Sequence, residues 1–368
     1  MSAPARISSA IEAAPVGGAP PEIGRVEVVR ADLRDPDLCA FITDHPDASL
    51  FHQPAWTDAV ARVYGYEPVT FAARRGGQIV GALSMIDVRG RLFGRSLVST
   101  AFSVGGGVLS SDAAAREALC AQAVAEGRAR NVRYVELRSA VAADGWTSKE
   151  GAYASYARPL AEDDDAELKA VPRKRRAEIR KGLKMAEAGR LIARHDASVD
   201  AFYELYAISL RNLGTPVFPK RFVQAFADAF DDKVIFSIVE ADGEPAFSLC
   251  SFIYRDRIMP YYAGVTPKAR EVKAADFGYF SIMREARQRG LAQFDFGRSK
   301  VGSPHADYKR SWGFDAEPIT YRYALVEAKE TPNLNPSNPK FRLLTNAWRR
   351  LPLPLANALG PVIARELA

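Results

Sequence analysis

The order of predicted secondary-structure elements in the second half of the chain constrains its fold most. Three strands, one helix and one further strand follow one another at Val234–Glu240, Pro245–Tyr254, Arg257–Gly264, Ala274–Arg289 and Phe294–Phe296. The first two strands are joined through Asp242-Gly243, a pair typical of tight hairpin turns. Strands combined with an amphipathic helix in this order predict an α/β fold, in which a mixed sheet packs against helices.

The length of the chain predicts two domains with tails, because 368 residues are too many for one ordinary hydrophobic core. Residues 1–24 are rich in Ala, Pro, Gly and Ser and are expected to form a disordered leader. Alternating strand and helix patterns predict one mixed α/β domain over 25–160. A second domain covers 165–325 and begins with a basic helix at 172–190, and a linker and helical tail occupy 330–368.

Composition and charge exclude several classes of protein. The three cysteines and four histidines lie far apart, so neither a disulfide framework nor a metal site is predicted. The sequence contains no signal-peptide pattern and no run of 18 apolar residues, which predicts a cytoplasmic protein, or one at the inner face of a membrane. The net charge of +6 favours an anionic partner such as a nucleotide sugar, another glycan precursor or tRNA, with a merely solvated basic surface as the alternative. DNA is not an expected partner.

The stretch from residue 294 to residue 314 gathers polar side chains around one lysine. Phe294 and Phe296 alternate with Asp295, as in a half-buried strand, and the glycine at 297 ends that strand. Three polar side chains leave the strand end together, namely Arg298, Ser299 and Lys300. Lys309 follows among aromatic residues. Cations and hydroxyls at the end of a buried strand suit an anionic or carbonyl-bearing substrate.

This stretch resembles the second acetyltransferase-like domain of the Fem family, the non-ribosomal peptidyl and aminoacyl transferases of cell-wall synthesis. The resemblance is carried by Phe294-Asp295-Phe296-Gly297 and by Tyr308-Lys309-Arg310-Ser311-Trp312-Gly313. Further ordered matches resemble a Fem-like branch associated with exosortase (PEP-CTERM) and exopolysaccharide systems, at Gly214-Thr215-Pro216, Pro260–Gly264, Phe296–Gly302 and Trp312-Gly313-Phe314. The chain departs from that pattern at Ser303-Pro304, where Thr-Gly is common, and at Tyr308, where Phe is common.

The resemblance implies two tandem GNAT-like domains, that is, domains like the acyl-CoA N-acyltransferases. It also implies an N-acyl or aminoacyl transferase that forms an amide on an amine of a cell-envelope or exopolysaccharide precursor. Lys309 would lie at the transfer centre and stabilise an oxyanion or neutralise a donor phosphate. Asp295 is the second catalytic candidate, as a proton acceptor or to orient the amine, the alternative being a strand-end carboxylate satisfied by backbone amides. The expected substrate-binding residues are Tyr262, Arg298, Ser299, Lys300, Arg221 and Tyr308. For Arg221, a solvated helix end is an equal alternative.

The loop before the last helix is where a GNAT domain holds the pyrophosphate of coenzyme A, through a motif with glycines whose backbone amides approach the phosphates. In this chain the loop offers Arg270 and Lys273 as cofactor-binding candidates but lacks those glycines. We therefore expect no tightly bound cofactor. An activated acyl donor, either aminoacyl-tRNA or acyl-CoA, would serve as a co-substrate.

Two further segments are candidates for contact with larger partners. Residues 173–190 contain eight Lys or Arg against two Glu, and an apolar stripe predicts a helix that docks by one face and leaves the other positive. The resemblance suggests tRNA as its partner, although the long helical arm of some relatives is absent. The tail after residue 340 is expected to form two short helices, split by Pro352 and Pro354, that pack on the protein or lie on a membrane surface.

Two other functions remain open at this stage. The chain could be a non-catalytic binding or scaffold protein in envelope-polymer assembly, although such a protein would have little need of both Lys309 and the Phe296–Lys300 run. It could also be an ordinary acyl-CoA-dependent N-acyltransferase, which the missing glycines argue against.

Overall fold

The computed structural model describes residues 24–90, 94–332 and 339–367. The predicted leader lies outside these residues except for Gly24, and so does most of the predicted linker. The elements of the first half are β1 (Glu27–Arg30), α1 (Pro36–Asp44), α2 (Pro54–Tyr64), β2 (Glu67–Arg75), β3 (Gln78–Gly90), β4 (Gly94–Ser99), β5 (Val108–Ser110), α3 (Ala113–Ala129), β6 (Tyr134–Leu137), β7 (Thr147–Ser155) and β8 (Ala157–Pro159).

The second half repeats much of this order after two helices of its own. Its elements are α4 (Asp164–Ala170), α5 (Arg173–Glu187), β9 (Leu191–Arg194), α6 (Val199–Leu213), α7 (Lys220–Phe230), β10 (Val234–Ala241), β11 (Glu244–Tyr254), β12 (Arg257–Val265), α8 (Pro267–Glu271), α9 (Ala274–Gln288), β13 (Gln293–Asp295), β14 (Ser299–Lys300), α10 (Pro304–Ser311), β15 (Glu317–Leu325), α11 (Pro339–Trp348) and α12 (Leu353–Ala364). The α/β fold predicted from the sequence is confirmed.

The two halves share one topology. In the first half, β1, β2, β3 and β4 pair antiparallel in turn, and β6 then pairs parallel to β4 after the helix α3. In the second half, β9, β10, β11 and β12 do the same, and β13 pairs parallel to β12 after the helix α9. Each half therefore builds a mixed sheet whose helical crossover returns the chain to a parallel strand, as the predicted tandem arrangement requires.

The two sheets exchange strands across the predicted domain boundary. β15 comes from the second half of the chain but lies in the first sheet, between β6 and β7, and β14 pairs with the outer edge of β7. In return β8, from the end of the first half, pairs with β13 in the second sheet. A domain boundary near residue 160 therefore divides the helices between the two halves, but each sheet contains at least one strand from the other half of the chain.

A continuous apolar core joins the two halves. Trp56 on α2 is fully buried, and its ring lies 4.4 Å from that of Phe226 on α7 and 5.6 Å from that of Phe252 on β11. The tail helix α12 also packs on the protein, since a side chain at Gly360 would meet the backbone of Val217 at 2.9 Å. None of the helices within the described residues is both long and apolar enough to cross a bilayer.

Candidate active site

The predicted site stretch connects the two sheets. β13 ends in the second sheet at Asp295, and β14 begins in the first sheet at Ser299. Between them Gly297 has a φ of +66°, a left-handed conformation that a glycine adopts without the penalty of a side chain. The backbone of 296–298 therefore runs between the two halves of the chain.

Lys309 contacts this crossing from a helix that the sequence analysis did not predict. Ser303 caps α10 through its side chain and Pro304 occupies the first helical position, a start signal that stands in the sequence. The Nζ of Lys309 donates to the carbonyl oxygens of Gly297 at 3.1 Å and Arg298 at 2.9 Å. The crossing and the lysine are thus held together by two hydrogen bonds.

The surroundings of Lys309 favour deprotonation of its ammonium group. Burial lowers the pKa of its ammonium to about 8, with Asp295 acting in the opposite direction and Arg298 adding to the decrease. The ammonium also lies 5.5 Å from the ring centre of Tyr156, a buried residue before β8. Of its three N–H donors, two are used by the carbonyls above. The third has no hydrogen-bond partner among the described residues.

Asp295 lies close to Lys309, but both of its carboxylate oxygens are already engaged. Oδ1 accepts from the backbone N–H of Gly297 at 2.7 Å, and Oδ2 accepts from Arg257 at 3.0 Å. The sequence analysis named satisfaction by backbone amides as the alternative to catalysis, and here one backbone amide and one guanidinium occupy the two oxygens. The carboxylate therefore stabilises the turn at Gly297, whose carbonyl oxygen accepts a hydrogen bond from Lys309.

Arg298, Ser299 and Lys300 lie at the edge of the first sheet. Arg298 donates to the hydroxyl of Tyr321 at 2.6 Å and stacks over the ring of Tyr153 at 4.3 Å. The Tyr321 hydroxyl in turn donates to the carbonyl of Val104, which directly precedes Gly105-Gly106-Gly107 in the first half of the chain. Ser299 is buried and Lys300 is half-buried, and both belong to β14. The guanidinium of Arg298 therefore lies beside the first domain, next to Lys309.

Tyr262 and Arg221 lie in a second, aromatic cluster where the halves meet. The ring of Tyr262 is 5.8 Å from that of Phe218 and 5.6 Å from that of Tyr206. Its buried hydroxyl has no hydrogen-bond partner in the described part of the chain, and neither has that of Tyr64. The exposed guanidinium of Arg221 likewise has no hydrogen-bond or ion-pair partner among the described residues. Burial raises the pKa of Tyr64, and the charge of Arg221 acts in the opposite direction with a smaller effect. Unsatisfied donors beside a cation suit an anionic ligand.

Tyr308 points away from Lys309. Its hydroxyl donates to Oδ1 of Asp276 at 3.0 Å, and its ring lies 4.5 Å beneath the guanidinium of Arg175. Arg175 also donates to Asp276 at 2.6 Å and to the hydroxyl of Ser311 at 3.0 Å. These contacts join α5, α9 and α10. The sequence analysis did not single out Arg175 or Asp276.

Comparison with known proteins agrees with this topology. Residues 173–310 match the Acetyltransf_6 family model, described as an acetyltransferase (GNAT) domain. No curated protein matches the chain. The chain has a tandem GNAT fold.

Solved structures share this fold over most of their length. The crystal structure of FemX has a TM-score of 0.62 and 16% identity, over 87% of this chain and 100% of that one. A tandem GNAT protein from the clavulanic acid biosynthesis pathway has a TM-score of 0.50 and 15% identity, over 82% and 98%. A conserved protein of unknown function from Bacteroides thetaiotaomicron has a TM-score of 0.51 and 10% identity, over 82% and 100%. At these identities the similarity establishes the fold alone.

The loop between β12 and α9 lacks the glycines of a phosphate cradle, and its two candidate cations, Arg270 and Lys273, have different surroundings. Arg270 is exposed on α8, whereas the Nζ of Lys273 lies 2.8 Å from a carboxylate oxygen of Glu178 on α5. Asp276, in the first turn of α9, places a buried carboxylate where the helix dipole and free N–H groups would attract an anion. Of the two predicted cofactor-binding residues, Lys273 therefore lies at the start of α9 but is engaged by Glu178, and Arg270 faces solvent on α8.

The first GNAT domain shows the same arrangement at its corresponding helix. Asp112 caps α3 by accepting from the backbone N–H of Ala115 at 2.9 Å, and Arg75 donates to its other oxygen at 2.7 Å. A carboxylate paired with an arginine therefore lies at the start of the crossover helix in both domains. Among the described residues, no group of His, Cys, Asp and Glu side chains is arranged to hold a metal ion.

Proposed function

We propose that this protein is an amide-forming transferase. It moves an activated acyl or aminoacyl group to the amine of an anionic small molecule or glycan precursor of the cell envelope, in an exosortase-associated exopolysaccharide system. The tandem GNAT fold supports transfer of an acyl group, and the Fem-like motifs around Phe294–Gly297 and Tyr308–Gly313 support the cell-envelope setting. The observation that carries the proposal is Lys309, a half-buried ammonium with one N–H donor left over.

The chemistry that we assign to Lys309 is stabilisation of an oxyanion. The neutral amine of the acceptor attacks the carbonyl carbon of the donor, so that a C–N bond forms and the carbonyl oxygen becomes negative. The C–O bond to tRNA or the C–S bond to coenzyme A then breaks, and the proton of the amine passes to the leaving group or to water. The third N–H of Lys309 donates to the oxyanion, an interaction that lowers such a barrier by about 3 to 4 kcal/mol.

The acceptor lies, in this proposal, between Lys309 and the aromatic cluster. Arg298, Ser299 and Lys300 line the first-domain side of the site, and Tyr262 lines the opposite side. Arg221, an exposed guanidinium without a described partner, meets the negative charge of the acceptor. Asp295 acts as a positioning residue, because Gly297 and Arg257 occupy its oxygens.

The donor that this geometry favours is an aminoacyl-tRNA. Both crossover helices carry a carboxylate paired with an arginine in or before their first turn, and the loop with Arg270 and Lys273 lacks glycines, which disfavours the close approach of a pyrophosphate. The basic helix α5 presents exposed cations that have no partner among the described residues, namely Arg173, Lys174, Arg180 and Lys184. An acyl-CoA is the competing donor, because it is the co-substrate of GNAT domains in general.

The experiment that tests the proposal compares Lys309→Met with Lys233→Met. Met keeps the apolar stem of lysine and removes the charge, and Lys233 is an exposed lysine after α7. Purified proteins are incubated with an amine-bearing UDP-sugar and with either aminoacyl-tRNA or acetyl-CoA, and the amide is measured by mass spectrometry. We expect Lys309→Met to lower turnover by about 100-fold or more while Lys233→Met remains active.

Two outcomes would favour the scaffold alternative instead. One is the absence of any amide product with either class of donor. The other is a Lys309→Met variant that complements a chromosomal deletion as well as the unmodified protein does, because a lysine whose head merely faces water is dispensable. Lys309→Arg should also be poor in an enzyme, since a planar guanidinium does not replace a compact ammonium.

A further inference from the structure

The tail helix α12 packs by one side only and exposes an apolar stripe on the other. Its buried side consists of Ala356, Gly360 and Ala364, which repeat every four residues. The exposed part of its surface carries large aliphatic side chains at helical spacing, namely Leu355, Leu359, Val362 and Ile363, which are 51%, 48%, 67% and 37% exposed. A helix exposed to water normally presents polar residues on that side. α12 contains no charged residue at all.

This exposure is concentrated rather than scattered. Nine large apolar side chains are exposed in the described part of the chain, and five of them belong to α11 and α12. The fifth is Leu344 on α11, which is 66% exposed. We call Leu344 and the four exposed residues of α12 the tail patch. A concentration of exposed apolar side chains of this kind marks a contact surface.

The helix is fixed to the protein, so the tail patch keeps its orientation. The hydroxyl of Tyr66, on the first domain, donates to the carbonyl of Arg365 at 2.8 Å, and the Arg365 guanidinium lies 5.3 Å from the same ring. Arg349 donates to the carbonyl of Leu213 at the end of α6. The patch is therefore presented by a docked helix that both halves of the molecule hold in place.

The charge of the tail segment favours an anionic partner. The sequence from 339 to 368 contains five basic residues, Lys340, Arg342, Arg349, Arg350 and Arg365, and one acidic residue, Glu366. The side chains of Arg349, Arg350 and Arg365 are exposed, and an uncharged apolar stripe on a segment with exposed cations has the chemistry of a helix that lies in the interface of an anionic bilayer. At 12 residues, α12 is far shorter than the roughly 20 residues needed to span a bilayer.

A second copy of the chain fits the tail patch less well. A stripe one helix wide and 12 residues long measures roughly 18 Å by 10 Å, far less than the roughly 800 Å² per partner of a stable interface. Two-fold symmetry would also bring the two sets of flanking cations close together. We propose that the tail patch binds the surface of an anionic membrane, with α12 parallel to the bilayer plane and its aliphatic side chains among the lipid headgroups.

The test is sedimentation of the full chain with vesicles of phosphatidylcholine alone or mixed with phosphatidylglycerol. We expect binding to the anionic vesicles, weakened by salt, and little binding to phosphatidylcholine. The double variant Leu359→Glu/Val362→Glu should bind at least about tenfold more weakly. Val141→Glu, at an exposed valine in a loop of the first domain, is the matched control and should bind normally. Circular dichroism checks that each variant is folded.

Several results would overturn the proposal. One is the absence of vesicle binding by the full chain, and another is equal binding by the double variant and the control. A third is a dimer in analytical ultracentrifugation that the double variant abolishes, which would assign the tail patch to a second copy. None of these results depends on transferase activity, so this proposal and the proposed function fail separately.

Discussion

The Nζ of Lys309 lies 2.9 Å from the carbonyl oxygen of Arg298, eleven residues earlier in the chain. This bond ties the helix α10 to the segment that crosses from the second sheet to the first. It also places the ammonium where protein surrounds it, which is why burial lowers its pKa to about 8. Lys309 is thus a cation held where the chain crosses between the two sheets.

The lowered pKa of Lys309 predicts a pH dependence. The ammonium is charged below pH about 8 and neutral above it, so oxyanion stabilisation should be lost as the pH rises through that value. We expect kcat/KM to fall above pH about 8. The residual activity of Lys309→Arg should lack this fall, because a guanidinium stays charged. A rate for the unmodified enzyme that keeps rising to pH 10 would instead make Lys309 a base.

Tyr308 is predicted to stabilise the fold rather than to bind substrate, contrary to the expectation from the motif. Tyr308→Phe removes one hydrogen bond to Asp276 and leaves the pairing with Arg175 in place. Chemical denaturation should show a loss of about 1 kcal/mol in the free energy of unfolding, and turnover should change less than twofold. Arg175→Met, which leaves Asp276 without its cation, should cost about 3 kcal/mol. An unchanged stability with a raised KM would return Tyr308 to the substrate site.

Asp295 can be tested as a positioning residue against its role as a base. Asp295→Asn keeps an oxygen that accepts from the N–H of Gly297 and loses the charge that pairs with Arg257. For positioning, we expect less than a tenfold loss of turnover, and a similar loss in Arg257→Met. A general base would instead cost about 100-fold or more in Asp295→Asn and leave Arg257→Met active.

Weak binding of acyl-CoA is expected from the carboxylates that begin both crossover helices. Asp276 is paired with Arg175, and Asp112 with Arg75, so a carboxylate lies near the start of each helix, and the loop before α9 lacks the glycines that would let backbone amides approach a pyrophosphate. Isothermal titration calorimetry with acetyl-CoA should therefore detect no binding at micromolar concentrations. Micromolar affinity would favour the ordinary acyl-CoA-dependent N-acyltransferase.

The basic helix α5 is predicted to bind tRNA through its exposed cations. Affinity measured by filter binding should fall with salt, with a log–log slope of roughly −0.7 for each phosphate contact. The double variant Arg180→Gln/Lys184→Gln should flatten that slope by roughly 1.4. Arg190→Gln is a suitable control, because Arg190 is already paired with Asp242 at 2.9 Å. Salt-independent affinity would exclude this role for the helix.

From the sequence, the class of fold and the order of the strands and the crossover helix from β10 to β13 could be predicted. The hairpin through Asp242-Gly243 and the helix that begins at Ala274 were predictable, because periodicity and turn residues act over a few neighbouring positions. The helix that carries Lys309 was missed although its signal, Ser303-Pro304, stands in the sequence. The motif located the lysine without specifying its contacts.

The way in which these parts are combined depends on contacts between residues that are far apart in the sequence. β15 completes the first sheet from the far end of the chain, and Arg175 finds Asp276 across 101 residues of sequence. Tyr308 bonds to Asp276 of that pair, and α12 exposes its aliphatic side chains. Each outcome depends on which surfaces and charges meet after the chain has folded, and no local pattern of residues encodes a partner so distant in sequence.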